Sequence, residues 1–317
     1  MIWEISTNEQ FREAAIDLFR YQARRCKPYN DYLRLIGFDE SRIESVEVVD
    51  QIPFLPIELF KSHDVYCGER SPEAVFTSSV DVSSRHLIYS LAQYERAFTR
   101  AFESFYGDIE QWSIYALLPS YLEREGSSLI YMVEKLLERC GRGGFYLYDH
   151  DKMLRDMEGD GRKKILLGVT YALLDLAESG RVSSPLSNTI VMETGGMKGR
   201  REEMTKVQLH EQLCRAFGVD EIASEYGMAE LTSQAYSSGG NRFYAPAWMR
   251  VLVRDVADPF DIRMSGRGGV NIIDLASDQS CGFIQTQDMG MLYDDGSFSI
   301  DGRIASSDIR GCNLLID

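Results

Sequence analysis

The sequence predicts a layered α/β fold joined to a β-rich C-terminal part, and three observations predict it. From residue 74 to residue 236, short apolar runs alternate with amphipathic helical stretches, the pattern of a sheet wound with helices. After Tyr236 the helical stretches stop, and short strands follow one another with turn signals between them. The 317-residue chain is 44% hydrophobic and 26% charged. It can therefore bury a large core, and it has no long polar tract of the kind that stays unfolded.

Taken in order, Thr7-Asn8-Glu9-Gln10 has the form of a capping box. Phe11, Ala14, Ala15, Leu18 and Phe19 then fall on one helical face, which predicts an opening helix to about Arg25. Residues 28–50 read as a less regular helical or loop section. The prolines of Ile52-Pro53-Phe54-Leu55-Pro56-Ile57 forbid a regular helix and make that segment extended. Ala74-Val75-Phe76-Thr77 reads as a strand that empties into a serine-rich loop over 78–86. A long helix over about 91–105 is expected beyond it. Residues 112–118 form a buried strand stopped by Pro119. Residues 127–140 form a helix, with a serine at its start and Gly141 just past its end. Strands over 164–168 and 189–192 alternate with helices over 172–178 and 202–217. Then Glu221-Ile222-Ala223 runs into a turn and a further helix. Beyond residue 236, strands are expected over 250–254, 270–275, 283–286, 289–293 and 298–300, with Asp294-Asp295-Gly296 as a hairpin turn. The whole reads as a single domain over 1–317: a helical lead-in over 1–73, an α/β core over 74–236 and a β-rich subdomain over 237–317.

Charge and cysteine usage exclude several function classes. The formal net charge of −15 repels nucleic-acid backbones and anionic membrane surfaces. No apolar run is long enough to span a bilayer, and MIWEISTNEQF lacks the basic-then-apolar form of a signal peptide. Six scattered cysteines without a C-x-x-C pair argue against structural zinc and for a reduced, cytoplasmic protein.

In a wound α/β sheet, ligands bind in the loops at the carboxyl ends of strands, which here means 77–86, 193–200 and 224–230. Ser78 and Ser79 open the first loop, and hydroxyls and N–H groups at a strand-to-helix junction suit a phosphate. The loop has no glycine, so a plain polar turn is the alternative. In the second loop, Gly195 and Gly196 allow close approach to a flat ligand. Lys198, Arg200 and Arg201 offset the acidic background there, with a solvated helix start as the alternative. The third holds Ser224-Glu225-Tyr226-Gly227-Met228-Ala229-Glu230: an aromatic ring, a glycine and two carboxylates, suited to a purine and to a metal or cation. Further on, Asp288 and Arg303 bracket the last hairpin. A carboxylate there can accept from a ribose diol, and a guanidinium can donate to ribose or phosphate.

The ordered combination resembles the adenylate-forming (ANL) superfamily, and within it the acyl-protein synthetase branch, the LuxE family. The resemblance is carried by Pro53-Phe54-Leu55-Pro56-Ile57 with Phe60-Lys61-Ser62-His63, by Leu118-Pro119-Ser120-Tyr121, and by Met192-Glu193-Thr194-Gly195-Gly196-Met197-Lys198-Gly199-Arg200. Ser224-Glu225-Tyr226-Gly227, Ser233-Gln234-Ala235-Tyr236 and Ser307-Asp308-Ile309-Arg310-Gly311-Cys312 extend it nearly end to end. It implies the large N-terminal domain of that superfamily without its C-terminal lid domain. It also implies activation of a fatty acid by ATP and Mg²⁺ as acyl-AMP, then transfer to a protein thiol. In that scheme Tyr226 stacks on adenine, Glu230 holds Mg²⁺ and Asp288 binds the ribose. Arg303 contacts ribose or phosphate, Lys198 is a catalytic cation and Cys312 is the acceptor thiol. Ser78, Ser79, Gly195, Gly196 and Gly227 complete the ATP-binding set. Acyl-reductase and acyl-transferase proteins are the implied partners.

Two departures stand out. The family's S-S-G-T-T-G loop is replaced by a shorter one carrying Val80-Asp81-Val82-Ser83, and the threonine of the third loop is Ala229. Both remove contacts to phosphate. The alternative reading is therefore a catalytically impaired relative that binds nucleotide or acyl groups within a fatty-acid reductase complex.

Overall fold

The computed structural model describes residues 2–78, 84–119, 126–195 and 204–304. The chain divides into two compact units, one built from Met1–Ser71 with the segment from Ala247 onward and one from Pro72–Pro246.

In the first unit, helix α1 (Asn8–Arg25) begins at the predicted capping box, where the Gln10 amide donates to Thr7 Oγ1. It buries Phe11, Ala15 and Phe19. Helices α2 (Lys27–Leu35), α3 (Glu40–Ser45) and α4 (Leu59–Ser62) follow. They lead around strand β1 (Leu55–Pro56), which pairs in parallel with β13 (Phe283–Leu292). Strands β10 (Met249–Arg254), β11 (Ile262–Arg263), β12 (Gly266–Asp274) and β14 (Phe298–Arg303) complete the sheet around β13. The two strands expected over 283–293 are one strand, irregular between Met289 and Gly290. The helices fasten to this sheet through buried Gln22. Its side chain donates to the Ser277 carbonyl at 2.7 Å and accepts from the Gly282 amide at 2.9 Å.

In the second unit, β4 (Trp112–Leu117), β5 (Gly143–Phe145), β6 (Lys163–Val169), β7 (Thr189–Thr194), β8 (Ala223–Tyr226) and β9 (Ala235–Ser237) form a sheet in the order 5-4-6-7-8-9. All pairs are parallel except β8 with β9. Helices α5 (Leu91–Tyr106) and α6 (Ser128–Cys140) lie on one face, where Phe102 meets Trp112. Helices α7 (His150–Glu158), α8 (Thr170–Glu178) and α9 (Lys206–Phe217) lie on the other, with Tyr115 reaching the Asp156 carbonyl. Helix α6 has the expected caps: Ser127 accepts from Ile130 N, and Gly141 closes it in the left-handed region at φ 65°. Helix α7 had no counterpart in the sequence reading.

Three local expectations change. Residues 85–88 are a strand, β3 (Arg85–Ile88), that pairs antiparallel with β2 (Ala74–Thr77). The serine-rich segment therefore lies between two paired strands, with a strand and not a helix directly after it. Its apolar Leu87 and Ile88 gain more from the ladder than from a turn. Second, Ser224, Glu225 and Tyr226 belong to β8, and a turn leads from them into β9 without a helix. Third, α9 starts at Lys206 behind a capping box of Thr205 and Gln208, later than the expected start at 202. Thr205→Ala is expected to cost about 1 kcal/mol by loss of that cap, read as a lowered urea midpoint with an unchanged slope.

Candidate functional site

Strands β7 and β8 run side by side with Glu193 level with Ser224 and Thr194 level with Glu225. Because side chains alternate between faces, Glu193, Ser224 and Tyr226 point one way and Thr194 and Glu225 the other.

On the first face, Glu193 is buried and collects hydrogen bonds from three elements. Thr170 Oγ1 donates at 3.1 Å, Ser224 Oγ at 2.8 Å and Lys206 Nζ at close range. His210 Nε2 stands 3.9 Å away. Burial alone would raise this carboxyl. His210, Lys206 and Ser224 outweigh it and hold the group down at about 2. Lys206 Nζ also lies 5.6 Å from the centroid of buried Phe243, a cation–π distance. The half-buried Tyr226 ring meets the same Phe243 ring at 5.8 Å. An aromatic platform with a lysine behind it therefore stands at the carboxyl end of β8.

On the second face, Thr194 Oγ1 donates to Glu225 Oε2 at 2.5 Å. Burial raises the Glu225 carboxyl to about 7, opposed by the Thr194 bond and reinforced by the charge on Glu193. Tyr106 and Tyr236 share this space; burial raises both phenols, and the charge of Glu225 adds to it.

The turn after β8 is fastened to the β2–β3 hairpin. Ser84 Oγ donates to Glu230 Oε1, and both residues are buried. Ser78 and Ser84 close the neck of the serine-rich loop, through Ser84 N to Ser78 Oγ at 3.0 Å and Ser78 N to Ser84 O at 3.2 Å. His86 Nδ1 donates to the Ala229 carbonyl at 2.8 Å. Burial pushes His86 down to about 4, so the ring is neutral near pH 7.

No protein-family model and no curated protein sequence matches the chain, but solved structures do. 2-Hydroxyisobutyryl-CoA ligase in the postadenylation state with R3-HIB-AMP is similar at 13% identity and a TM-score of 0.71, over 95% of this chain and 69% of that one. Its open conformation with 2-HIB-AMP and CoA matches at 12% identity and 0.70, over 94% and 75%. ATP-bound MatB from Rhodopseudomonas palustris matches at 13% identity and 0.56, over 75% and 50%. The fold is shared with these ligases. What matches is their N-terminal domain, and the chain spans about half the length of MatB.

On this fold, Tyr226, Gly227, Glu230, Gly195 and Ser78 belong to the second unit, and the Ser78–Ser84–Glu230 chain joins two of the three loops singled out in the sequence. Gly195 ends β7 exposed, with φ 76°. Asp288 and Arg303 belong to the first unit, level with each other across β13 and β14, with Arg303 Nε 3.8 Å from Asp288 Oδ1. Ser79, Gly196, Lys198 and Cys312 lie outside the described residues. Sequence reasoning missed Lys206, Ser84 and Thr194 as members of the site. Alternation along the 189–194 strand would have paired Glu193 with Ser224, but nothing in the sequence marks Lys206 as their neighbour.

Among the described residues no group of three or more His, Cys, Asp or Glu is placed to hold a metal. One carboxylate, Glu230, fits Mg²⁺ only in the manner of a phosphate-borne ion that keeps most of its water and phosphate ligands. The exposed Gly227 and half-buried Tyr226 fit a flat ring laid against the strand end. No described helix is long and apolar enough to cross a membrane.

Lys206→Met strands the buried Glu193 charge and is expected to cost about 3 kcal/mol in urea unfolding at pH 7, with Glu193→Gln in the same chain restoring part of it. Glu193 sits below its ordinary value of 4.5. Its stabilisation is therefore complete above that pH and is lost as the pH falls toward about 2. The stability gap between wild type and Glu193→Gln is expected to close over that window.

Proposed function

We propose that this chain activates a carboxylic acid with ATP. The substrate carboxylate attacks the α-phosphorus, acyl-AMP forms and pyrophosphate leaves. The observation that carries the reading is the Tyr226-Gly227-x-x-Glu230 turn at the carboxyl end of a parallel strand. It stands within a fold shared over 95% of the chain with a ligase solved with its acyl adenylate.

In this reading the Tyr226 face receives adenine, with Phe243 fixing the ring from behind. Gly195, Gly196 and Gly227 let the nucleotide approach backbone. Asp288 accepts from the ribose hydroxyls, and Arg303 donates to ribose or phosphate. Ser78 and Ser79 donate to phosphate, while Lys198 offsets charge as it develops on the leaving group. Glu230 is the protein ligand of a Mg²⁺ ion, which would neutralise phosphate charge. The acid is a fatty acid, and the acyl group passes to the Cys312 thiolate with release of AMP, as in acyl-protein synthetases of the LuxE type. Acyl-reductase and acyl-transferase proteins in the cytoplasm are then the natural partners.

Ala229 favours a second reading. It is buried and has no hydroxyl to offer a phosphate, which suits a nucleotide- or acyl-binding subunit that does not turn over ATP. Carboxylate-dependent ATP–pyrophosphate exchange separates the two. The first reading predicts exchange with a fatty acid and a loss of about 100-fold in Glu230→Ala. Absence of exchange at every chain length, with AMP still bound, supports the second.

A further inference from the structure

Glu225 has no part in the scheme above, yet it is a half-buried acid next to the nucleotide corner. Its Oε1 lies directly beneath the backbone of exposed Gly227: a Cβ added there would stand 2.5 Å from that oxygen. The same Cβ would stand 3.3 Å from Gln234 Cγ, so Gln234 shares the space. The groups facing Glu225 are few. Strand β7 supplies Thr194, which donates to it, while the charge of Glu193 acts from the other face. Helix α5 contributes Tyr106 and strand β9 contributes Tyr236, both neutral phenols. Lys206 is on the opposite face, committed to Glu193. Gln234 Oε1 and the Tyr236 hydroxyl are buried without a hydrogen-bond partner among the described residues. Among the described residues, the space behind Gly227 thus holds the Thr194, Tyr106 and Tyr236 hydroxyls and an unsatisfied acceptor, Gln234 Oε1, while the nearby Lys206 is committed to Glu193.

We propose that Glu225 takes up one proton when an anionic nucleotide occupies the corner, so that nucleotide binding and protonation of this side chain are coupled. The proposal rests on the nucleotide reading of the corner and deepens it. A charged Glu225 would be the second carboxylate at the strand ends, beside Glu193, and a ligand phosphate would add further negative charge across a single glycine. Protonation removes the repulsion, and the added O–H supplies a donor beside the unsatisfied Gln234 Oε1. The carboxyl titrates near neutrality before any ligand arrives, so at pH 8 the free side chain is mostly ionised and able to take up a proton. By reciprocity, a ligand that favours the protonated form binds more weakly as protons are withdrawn. Glu225 is a positioning residue in this account, since it acts on the ligand through the Gly227 backbone and through its charge.

The test is isothermal titration of AMP into the full chain between pH 7 and pH 9, where the phosphate no longer titrates, with adenosine as the uncharged control. Wild type is expected to bind AMP about fivefold more weakly at pH 8 than at pH 7. It is also expected to take up about half a proton per AMP at pH 7 and close to one at pH 8, read from binding enthalpies in two buffers of different ionisation heat. Adenosine affinity stays flat. Glu225→Gln, which keeps the shape and cannot ionise, is expected to bind AMP with the same affinity across the range and to take up no proton. An AMP profile in Glu225→Gln as steep as in wild type overturns the proposal, and so does a flat wild-type profile. Failure of both AMP and adenosine to bind at every pH overturns the nucleotide reading itself, and the proposal with it. Melting curves of the two proteins between pH 5 and pH 8 provide a readout without nucleotide. Glu225 is raised in the fold, so wild type loses stability relative to Glu225→Gln as the pH climbs toward about 7. A constant difference counts against a proton held at this position.

Discussion

The second unit depends on how it buries a charge. Glu193 sits inside a parallel sheet, where an unpaired carboxylate would cost several kcal/mol, and the local structure is arranged to prevent that. Thr170 comes from the start of α8, Ser224 from β8, and Lys206 and His210 from α9. One side chain thus fixes where two helices begin relative to two strand ends. The strand ends in turn carry Gly195 and the Tyr226-Gly227 turn. Lys206 adds a second tie by lying over Phe243, against which Tyr226 packs.

Alternation along β7 and β8 gives the same pair of strands two different electrostatic faces. Glu193 has a lysine and stays charged; Glu225 has a threonine and two phenols and titrates near neutrality. In the first unit, Arg254 plays a comparable structural part. It is buried, and it bonds the Val270 carbonyl at 3.0 Å, Asn271 Oδ1 at 2.8 Å and the Thr286 carbonyl at 2.7 Å, crosslinking β10, β12 and β13. Burial draws it down to about 10, against the pull of Glu58 and Asp288.

Much of this was legible in the sequence where local chemistry decides the outcome. Helices α1 and α6 announce themselves by cap residues and one-sided apolar spacing, and both begin and end close to where those signals stand. Strand β2 and the hairpin turn at Asp294-Asp295-Gly296 followed from turn signals and apolar runs. What failed were the places where a partner strand decides. Residues 85–88 are too short to show a strand period of their own, and β2 draws them into a hairpin. Residues 224–226 looked like the approach to a helix because glycine and glutamate follow, but pairing with β7 and β9 holds them extended. Lys206 could not be assigned to the site, because its contact with Glu193 arises from the packing of α9 and not from spacing along the chain.

The proposed function rests on the strand-end turn at Tyr226 as a nucleotide site. The most direct measurement is a crystal structure of the chain with a non-hydrolysable acyl-adenylate mimic. The account predicts adenine against the Tyr226 ring and the ribose-phosphate link passing over Gly227. A mimic bound elsewhere, with the Tyr226 face bare, would contradict it.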